Sequence, residues 1–183
     1  MVVFNYDRCI EHYLFHAFQT YYGIRPQDAA SLVAELAIYH PYGTVGQLPW
    51  QCVPGNAVIQ FGADPGPQQL LNLSRQIKTF TEGTDPNSSE IVAIRKVMRD
   101  ATKLVFLGFA FHPLNMKLLW DAETQTDGAK KCFATAKGIS DSDLSIIKSH
   151  LANFGCIPSH EVQVRNALTC SGLFHEFWRS LAL

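Results

Sequence analysis

Apolar positions recur along the chain with two different periods, and segments of the two kinds alternate. Side chains that return every three or four positions over residues 8–22 predict a helix, and Gly23 is placed to end it. Short runs rich in β-branched and aromatic residues predict strands at residues 2–4, 37–39, 58–61, 103–109 and 132–136. Further helices are predicted after Pro26, over 68–78, from a cap at Asn87 that follows a turn at 81–86, from Ser140 to Gly155, and over 171–181. This alternation favours one α/β domain with a mainly parallel sheet, in which the run at 103–109 is typical of a central strand.

Composition and charge limit the function classes that fit the chain. With 183 residues, 47% of them hydrophobic and 17% charged, it is long enough for a sizeable core, and a disordered or fibrous chain is excluded. Fifteen basic and sixteen acidic residues give a formal charge of −1 without any basic run, so nucleic acid is not expected as a ligand. No apolar stretch approaches the roughly 20 residues that cross a bilayer, and no signal-peptide core follows Met1. We therefore expect a cytoplasmic protein with no membrane partner.

The five cysteines are odd in number, widely spaced and never arranged as Cys-x-x-Cys. This pattern indicates neither a disulfide framework nor a zinc site. Free thiols in a reducing cytoplasm are the expectation, and no metal is predicted.

Polar side chains follow three of the predicted strands at the point where each strand ends. In a parallel sheet, the ligand crevice lies beyond the carboxyl ends of the strands. The three clusters are Asn5-Tyr6-Asp7, His40-Pro41-Tyr42-Gly43 and Gly108-Phe109-Ala110-Phe111-His112. They would supply an amide and a carboxylate, an imidazole, and a glycine that lets a ligand approach the backbone. They face one crevice if their strands are parallel and close neighbours.

In content and in order, these motifs resemble those of the sirtuin superfamily, and particularly its sirtuin-like NAD-hydrolase branch found in bacterial defence proteins. The segments that carry the resemblance are 3–7 (Val-Phe-Asn-Tyr-Asp), 38–43 (Ile-Tyr-His-Pro-Tyr-Gly) and 104–111 (Leu-Val-Phe-Leu-Gly-Phe-Ala-Phe). The resemblance covers about residues 1–120. It implies a three-layer, Rossmann-like α/β fold and an NAD glycohydrolase that releases nicotinamide.

The resemblance also implies roles for individual residues. Asn5 would position a water or a ribose hydroxyl, and His40 would act as general base. Asp7 would stabilise positive charge on the ribose or hold its hydroxyls, and Gly108 would lie against the ribose or the phosphates. The residues expected to bind NAD, or an ADP-ribose-like molecule, are Asn5, Asp7, Gly43, Gly108, Phe109 and Asn115.

Several positions depart from the family pattern. The family's Gly-Ala-Gly phosphate-binding turn would lie upstream of Val2, Ala110 stands where a serine is expected, and Pro113 replaces an aspartate of the defence branch. The zinc-binding cysteine pairs of the deacylating sirtuins are absent from the sequence, which favours the NAD-hydrolase branch over protein deacylation. We therefore expect residues 1–183 to form a single sirtuin-like domain that is a fragment of a larger one. The alternative is a non-catalytic nucleotide-sensing or protein-interaction module that has lost its phosphate-binding loop.

Other interpretations of the same residues remain open. Asn5 and Asp7 could be turn and cap residues that open the next helix, and His40 could be bonded to a backbone carbonyl at a strand end. An unrelated α/β domain whose strand-end residues imitate the motifs would place Asn5 far from His40.

The carboxyl-terminal helix is rich in aromatic side chains. It predicts a docking surface for a protein partner or an adjoining domain if its apolar residues are exposed. These residues are Leu173, Phe174, Phe177, Trp178 and Leu181.

Overall fold

The chain is mixed α/β, with helices and a small three-stranded parallel sheet. A computed structural model describes residues 1–51, 57–78, 85, 88–120 and 130–182. The chain divides into two compact units, Met1–Glu90 and Ile91–Leu183. The combination of helices with a parallel sheet confirms the predicted α/β class.

The first unit contains helices α1 (Cys9–Tyr22), α2 (Pro26–Glu35) and α3 (Pro67–Ser74). The predicted first helix is confirmed, and Gly23 ends it with a φ of 64° and an N–H that donates to the Gln19 carbonyl. The third helix ends at Ser74, before the predicted position 78. A small core joins α1 to α2 through Phe15, Ala29 and Val33.

The predicted strands of the first unit are reduced to single bridges. Val2 pairs in parallel with Tyr39, and the Val3 N–H donates to the Tyr39 carbonyl at 2.8 Å. The third predicted strand is reduced to an isolated parallel bridge, in which Val58 pairs with Gln47. The expectation of a buried strand at residues 2–4 is wrong, since these residues are half-buried and are paired through a single bridge, between Val2 and Tyr39. The two segments are nevertheless parallel neighbours, which meets the condition for a shared crevice for two of the three predicted clusters.

Helix α4 (Ser89–Asp100) leads into the second unit, where the sheet lies. Its strands are β1 (Lys103–Phe106), β2 (Lys131–Thr135) and β3 (Val162–Arg165), in that order and all parallel. Its helices are α5 (Pro113–Leu119), α6 (Asp141–Gly155), α7 (Cys170–Glu176) and α8 (Trp178–Ala182), with a 3-10 turn at Ser159–Glu161. The sequence analysis predicted neither β3 nor α5.

The central strand of this sheet is β2, not the segment predicted to be central. Cys132, Phe133 and Ala134 are buried, and β2 pairs with a strand on each side. Strand β1 ends at Phe106, before the predicted position 109, and Val105 is 38% exposed. The apolar run misled the prediction because one of its two faces is open.

Local caps fix the ends of several elements in the second unit. Ser140 accepts a hydrogen bond from the Asp143 N–H at 3.1 Å and opens α6, as predicted. Lys130 is only 2% exposed, and its ammonium group donates to the carbonyls of Met98, Arg99 and Ala101 at the end of α4.

The predicted last helix is divided into α7 and α8 at Phe177. Leu173 is buried, whereas Phe174 is 49% and Trp178 is 68% exposed. The partner expected at this surface stays a prediction.

The predicted turn at 81–86 and the cap at Asn87 lie outside the described residues, apart from Asp85. Among the helices that the structure describes, none combines the length and the apolar character needed to cross a membrane.

Candidate active site

The site in the first unit is built around the imidazole of His40. His40 follows the bridge at Tyr39 and begins a turn that the Gly43 N–H closes by donating to the His40 carbonyl at 2.8 Å. Its Nδ1 lies 3.1 Å from the Asn5 carbonyl oxygen, and its Nε2 lies 2.7 Å from Oε1 of Glu11. The side chains of His40 and Glu11 are only 9% and 6% exposed. The structure therefore places the His40 motif against the Asn5 motif and adds a buried carboxylate.

The contacts of His40 fix where its protons lie. A carbonyl oxygen only accepts, so the ring nitrogen facing Asn5 carries a hydrogen and donates it. The second nitrogen shares one further proton with Glu11. Burial lowers the pKa of His40, but the hydrogen bonds with Glu11 and with the Asn5 carbonyl, and the charges of Glu11 and Asp7, outweigh it and raise that pKa overall. The ring is therefore more often protonated near neutral pH than a free histidine.

Asn5 and Asp7 are held by backbone contacts at the entry to α1. The carboxylate of Asp7 accepts from the Cys9 N–H at 3.0 Å, and this hydrogen bond is the main cause that lowers the pKa of Asp7. Asp7 is thus a turn residue just before α1, whose N-cap is Arg8, and the predicted contact of His40 with a backbone carbonyl is confirmed. The NAD-related roles of these residues stay predictions.

Gly43 is required by the path of the backbone. Its φ is 77°, and it pairs with Ile77 in an antiparallel bridge. A Cβ atom at this position would lie 1.9 Å from the Gln76 carbonyl oxygen. Close packing of two backbone segments therefore explains the glycine without a ligand.

The remaining predicted residues belong to the second unit, at the carboxyl end of β1 and beyond. The Gly108 N–H donates to the Thr135 hydroxyl at 2.9 Å, which ties the ends of β1 and β2 together. The ring of Phe109 contacts that of Phe106, with centroids 5.5 Å apart. Asn115 is the third residue of α5.

The first unit forms a partly open cavity of about 320 Å³, whose polar and aromatic lining comes from Arg8, Glu11, His40, Thr44, Gln47, Trp50 and Gln51. Its apolar wall comes from Ala30, Val33, Ala34, Leu36 and Ile38. This volume is at the lower end of the roughly 300–1,000 Å³ typical of small-molecule sites. Of the residues predicted to bind NAD or to act on it, only His40 lines the cavity.

Three polar atoms of this lining are buried without a hydrogen-bond partner among the described residues: Oε2 of Glu11, Nε of Arg8 and Nε1 of Trp50. Arg8 and Glu11 are each 5% exposed. Burial lowers the pKa of Arg8, and the nearby charge of Glu11 opposes this effect. All three atoms are closed off from solvent, so they do not face the open volume of the cavity.

The sequence analysis missed Arg8, Glu11 and Trp50. Glu11 lies four positions before Phe15 and seven before Phe18, so it shares the apolar face of α1. A carboxylate on that face was the available signal, because a buried carboxylate requires a partner.

Comparisons of the chain with protein-family models, with curated protein sequences and with solved structures gave no match. Within the described residues, no group of three or more His, Cys, Asp and Glu side chains is placed to hold a metal ion.

Proposed function

We propose that the chain binds NAD and cleaves the bond between its nicotinamide and its ribose, on a Rossmann-like fold of the sirtuin type. The observation that carries this proposal is the contact between Asn5 and His40 across the parallel pairing of Val2 with Tyr39. An unrelated domain with chance motifs gives no reason for the two segments to meet.

The reaction suits the groups at this site. When the glycosidic bond breaks, its electron pair moves to the pyridinium nitrogen, nicotinamide leaves as a neutral ring, and positive charge remains on the ribose. The carboxylate of Asp7 would stabilise that charge, and the Asn5 side chain would orient the attacking water. Water attack on the ribose carbon releases one proton, which the base must accept.

The hydrogen bonds of His40 set a condition for this proton transfer. Both ring nitrogens are bonded, one to Asn5 and the other to Glu11. To act as base, the ring must open one of these bonds and expose a nitrogen lone pair to the water. The Glu11 bond is the relevant one, because a neutral Nε2 is then free to take the proton.

The same observation favours a second candidate, a module that binds NAD or an ADP-ribose-like molecule without turnover. If the Glu11–His40 bond persists when the ligand binds, the imidazole serves to hold the Asn5 segment in place. This candidate predicts saturable binding with no release of nicotinamide.

Proton NMR of NAD mixed with the full chain separates the two candidates. Broadened NAD signals with a growing signal of free nicotinamide support cleavage, whereas broadening alone supports binding without turnover. Cleavage should disappear in His40→Ala and persist in the control His160→Ala, because the His160 side chain is 79% exposed and lies in the other unit. An unchanged NAD spectrum overturns both candidates.

A further inference from the structure

The cavity of the first unit offers a ligand hydrogen-bond donors but no unengaged carboxylate. Among the described residues that line it, Glu11 alone carries a carboxylate. Its Oε1 is engaged by His40 at 2.7 Å, and its Oε2 is closed off from solvent. The lining therefore holds no anionic acceptor that is ready to receive a cation.

Two side chains of the lining keep N–H donors that their protein contacts do not use. Nη1 of Arg8 donates to the Ile59 carbonyl at 2.7 Å, whereas Nη2 has no partner among the described residues and is not closed off from solvent as Nε is. Oε1 of Gln51 accepts from the Leu48 N–H at 2.7 Å, which leaves the Nε2 hydrogens of Gln51 available. Since one end of each group is anchored, little ordering is needed when a ligand binds.

Two further polar side chains belong to the same lining, those of Thr44 and Gln47. The Thr44 hydroxyl donates to the Gly46 carbonyl over 3.4 Å, which is long for such a bond, so it can turn towards a ligand at little cost. The Gln47 amide can donate or accept, so it fits a ligand of either sign. Neither residue opposes an acceptor in the cavity.

The charges of the lining favour an anion. Arg8 is only 5% exposed, and its guanidinium stays protonated in proteins. The ion pairs among the described residues join Glu11 to His40 and leave Arg8 without a carboxylate of its own. A buried cation is costly unless an anion or a set of acceptors compensates it.

The rest of the lining is apolar and would cover a compact hydrophobic body. Three of its residues lie on α2 and two follow it: Ala30, Val33, Ala34, Leu36 and Ile38. The Trp50 ring adds an aromatic surface that is fixed by stacking on Phe15, with centroids 4.6 Å apart. A ligand that is polar throughout would leave this wall against water.

We propose that this cavity binds a small carboxylate anion with a compact apolar body. The carboxylate would accept from the Arg8 guanidinium and the Gln51 amide, and the body would lie against the wall from α2. The inference goes beyond the NAD proposal and does not depend on it.

Isothermal titration of the full chain with benzoate and with 4-methylpentanoate, at constant ionic strength, tests the proposal. We expect saturable binding of at least one of them. Benzamide and 4-methylpentanamide have the same shapes without the charge. Each amide should bind about tenfold to a hundredfold more weakly than its carboxylate, because charge-assisted hydrogen bonds are lost.

A matched pair of variants links the binding to the donors. Gln51→Glu keeps an oxygen for the Leu48 N–H but replaces the free N–H donors with a negative charge, so we expect binding to weaken at least tenfold. Gln60→Glu adds the same charge at an exposed position of the first unit that does not line the cavity. It should change the affinity less than twofold.

A second pair links the binding to the apolar wall. Ala34 lines the cavity at an exposed position of α2, so Ala34→Phe fills open volume without disturbing a packed core. We expect it to weaken binding at least tenfold. Ser31→Phe places the same ring on an exposed position of α2 outside the lining and should leave the affinity unchanged.

Four results overturn the proposal. No saturable binding of either carboxylate means that water alone fills the cavity. Equal affinity for the carboxylates and the amides means that charge is not recognised. Unchanged affinity in both Gln51→Glu and Ala34→Phe places the binding elsewhere, and tighter binding of nicotinamide than of benzoate assigns the cavity to the NAD reaction. Because NAD turnover is measured separately, failure here leaves the NAD proposal standing, and the reverse also holds.

Discussion

The buried Glu11–His40 pair should contribute a measurable and pH-dependent part of the stability of the first unit. The two side chains are 6% and 9% exposed and 2.7 Å apart, so solvent screens their interaction weakly. Removing one partner leaves the other buried and uncompensated, and we expect Glu11→Gln or His40→Gln alone to lower the free energy of unfolding of this unit by about 3 kcal/mol.

The interaction itself is isolated by a double-mutant cycle. We expect the sum of the destabilisations by the two single substitutions to exceed the destabilisation of the double variant by about 1.5–3 kcal/mol. This is the range for a hydrogen bond to a charged group. The readout is native-state exchange of the α1 amides in the full chain, because it reports opening of this unit without requiring it to fold alone.

The sign of the pH dependence follows from the raised pKa of His40. A folded pKa above the unfolded value of about 6.5 means that this stabilisation is complete below about pH 6.5 and is lost as the pH rises through the folded pKa. The coupling should therefore be larger at about pH 6 than at about pH 9.

An exposed pair provides the control. His160 and Glu161 lie 3.8 Å apart with side chains 79% and 35% exposed, and the same cycle there should give a coupling near zero. A Glu11–His40 coupling below about 0.5 kcal/mol at both pH values, or one that grows as the pH rises, would refute the reasoning.

Three further substitutions test the backbone and cap arguments. Gly43→Ala should destabilise the first unit by about 2–4 kcal/mol, because the new Cβ atom overlaps a backbone carbonyl. The control Gly62→Ala has a similar φ but open space around it, and it should cost about 1 kcal/mol. Amide exchange in α1 measures both effects. Lys130→Met should lower the free energy of unfolding of the second unit by about 2 kcal/mol or more, since it leaves three carbonyls without their donor. Lys131 is exposed, so the control Lys131→Met should change that free energy by less than about 0.5 kcal/mol. Amide exchange in β1 and β2 measures both effects. Ser140→Ala should cost about 1 kcal/mol, seen as faster exchange in the first turn of α6, and an unchanged rate there contradicts the cap assignment.

The sequence predicted best those features that depend on near neighbours in the chain. Helix α1 and its end at Gly23, and the cap of α6 at Ser140, follow from periodicity and from contacts within four residues. The parallel pairing of residues 2–4 with residues 37–39 was a condition of the predicted crevice that the sequence itself did not establish, and it is limited to the bridge between Val2 and Tyr39.

Features set by distant partners were harder to predict. The run at 103–109 looked central because it is continuously apolar after Lys103, but the number of strands beside it depends on residues far along the chain. The partner of His40 is 29 positions away on α1, so the pattern around His40 does not reveal Glu11. The cavity likewise needs α1, α2 and the segment at Trp50 together.

The central claim, that the chain binds and cleaves NAD, is tested most directly by a time course of proton NMR spectra of NAD with the full chain and with His40→Ala. The account predicts that a free nicotinamide signal grows with the native sequence and stays at the buffer level with the variant. A free nicotinamide signal that stays at the buffer level with the native chain would contradict it, whether or not the NAD signals broaden.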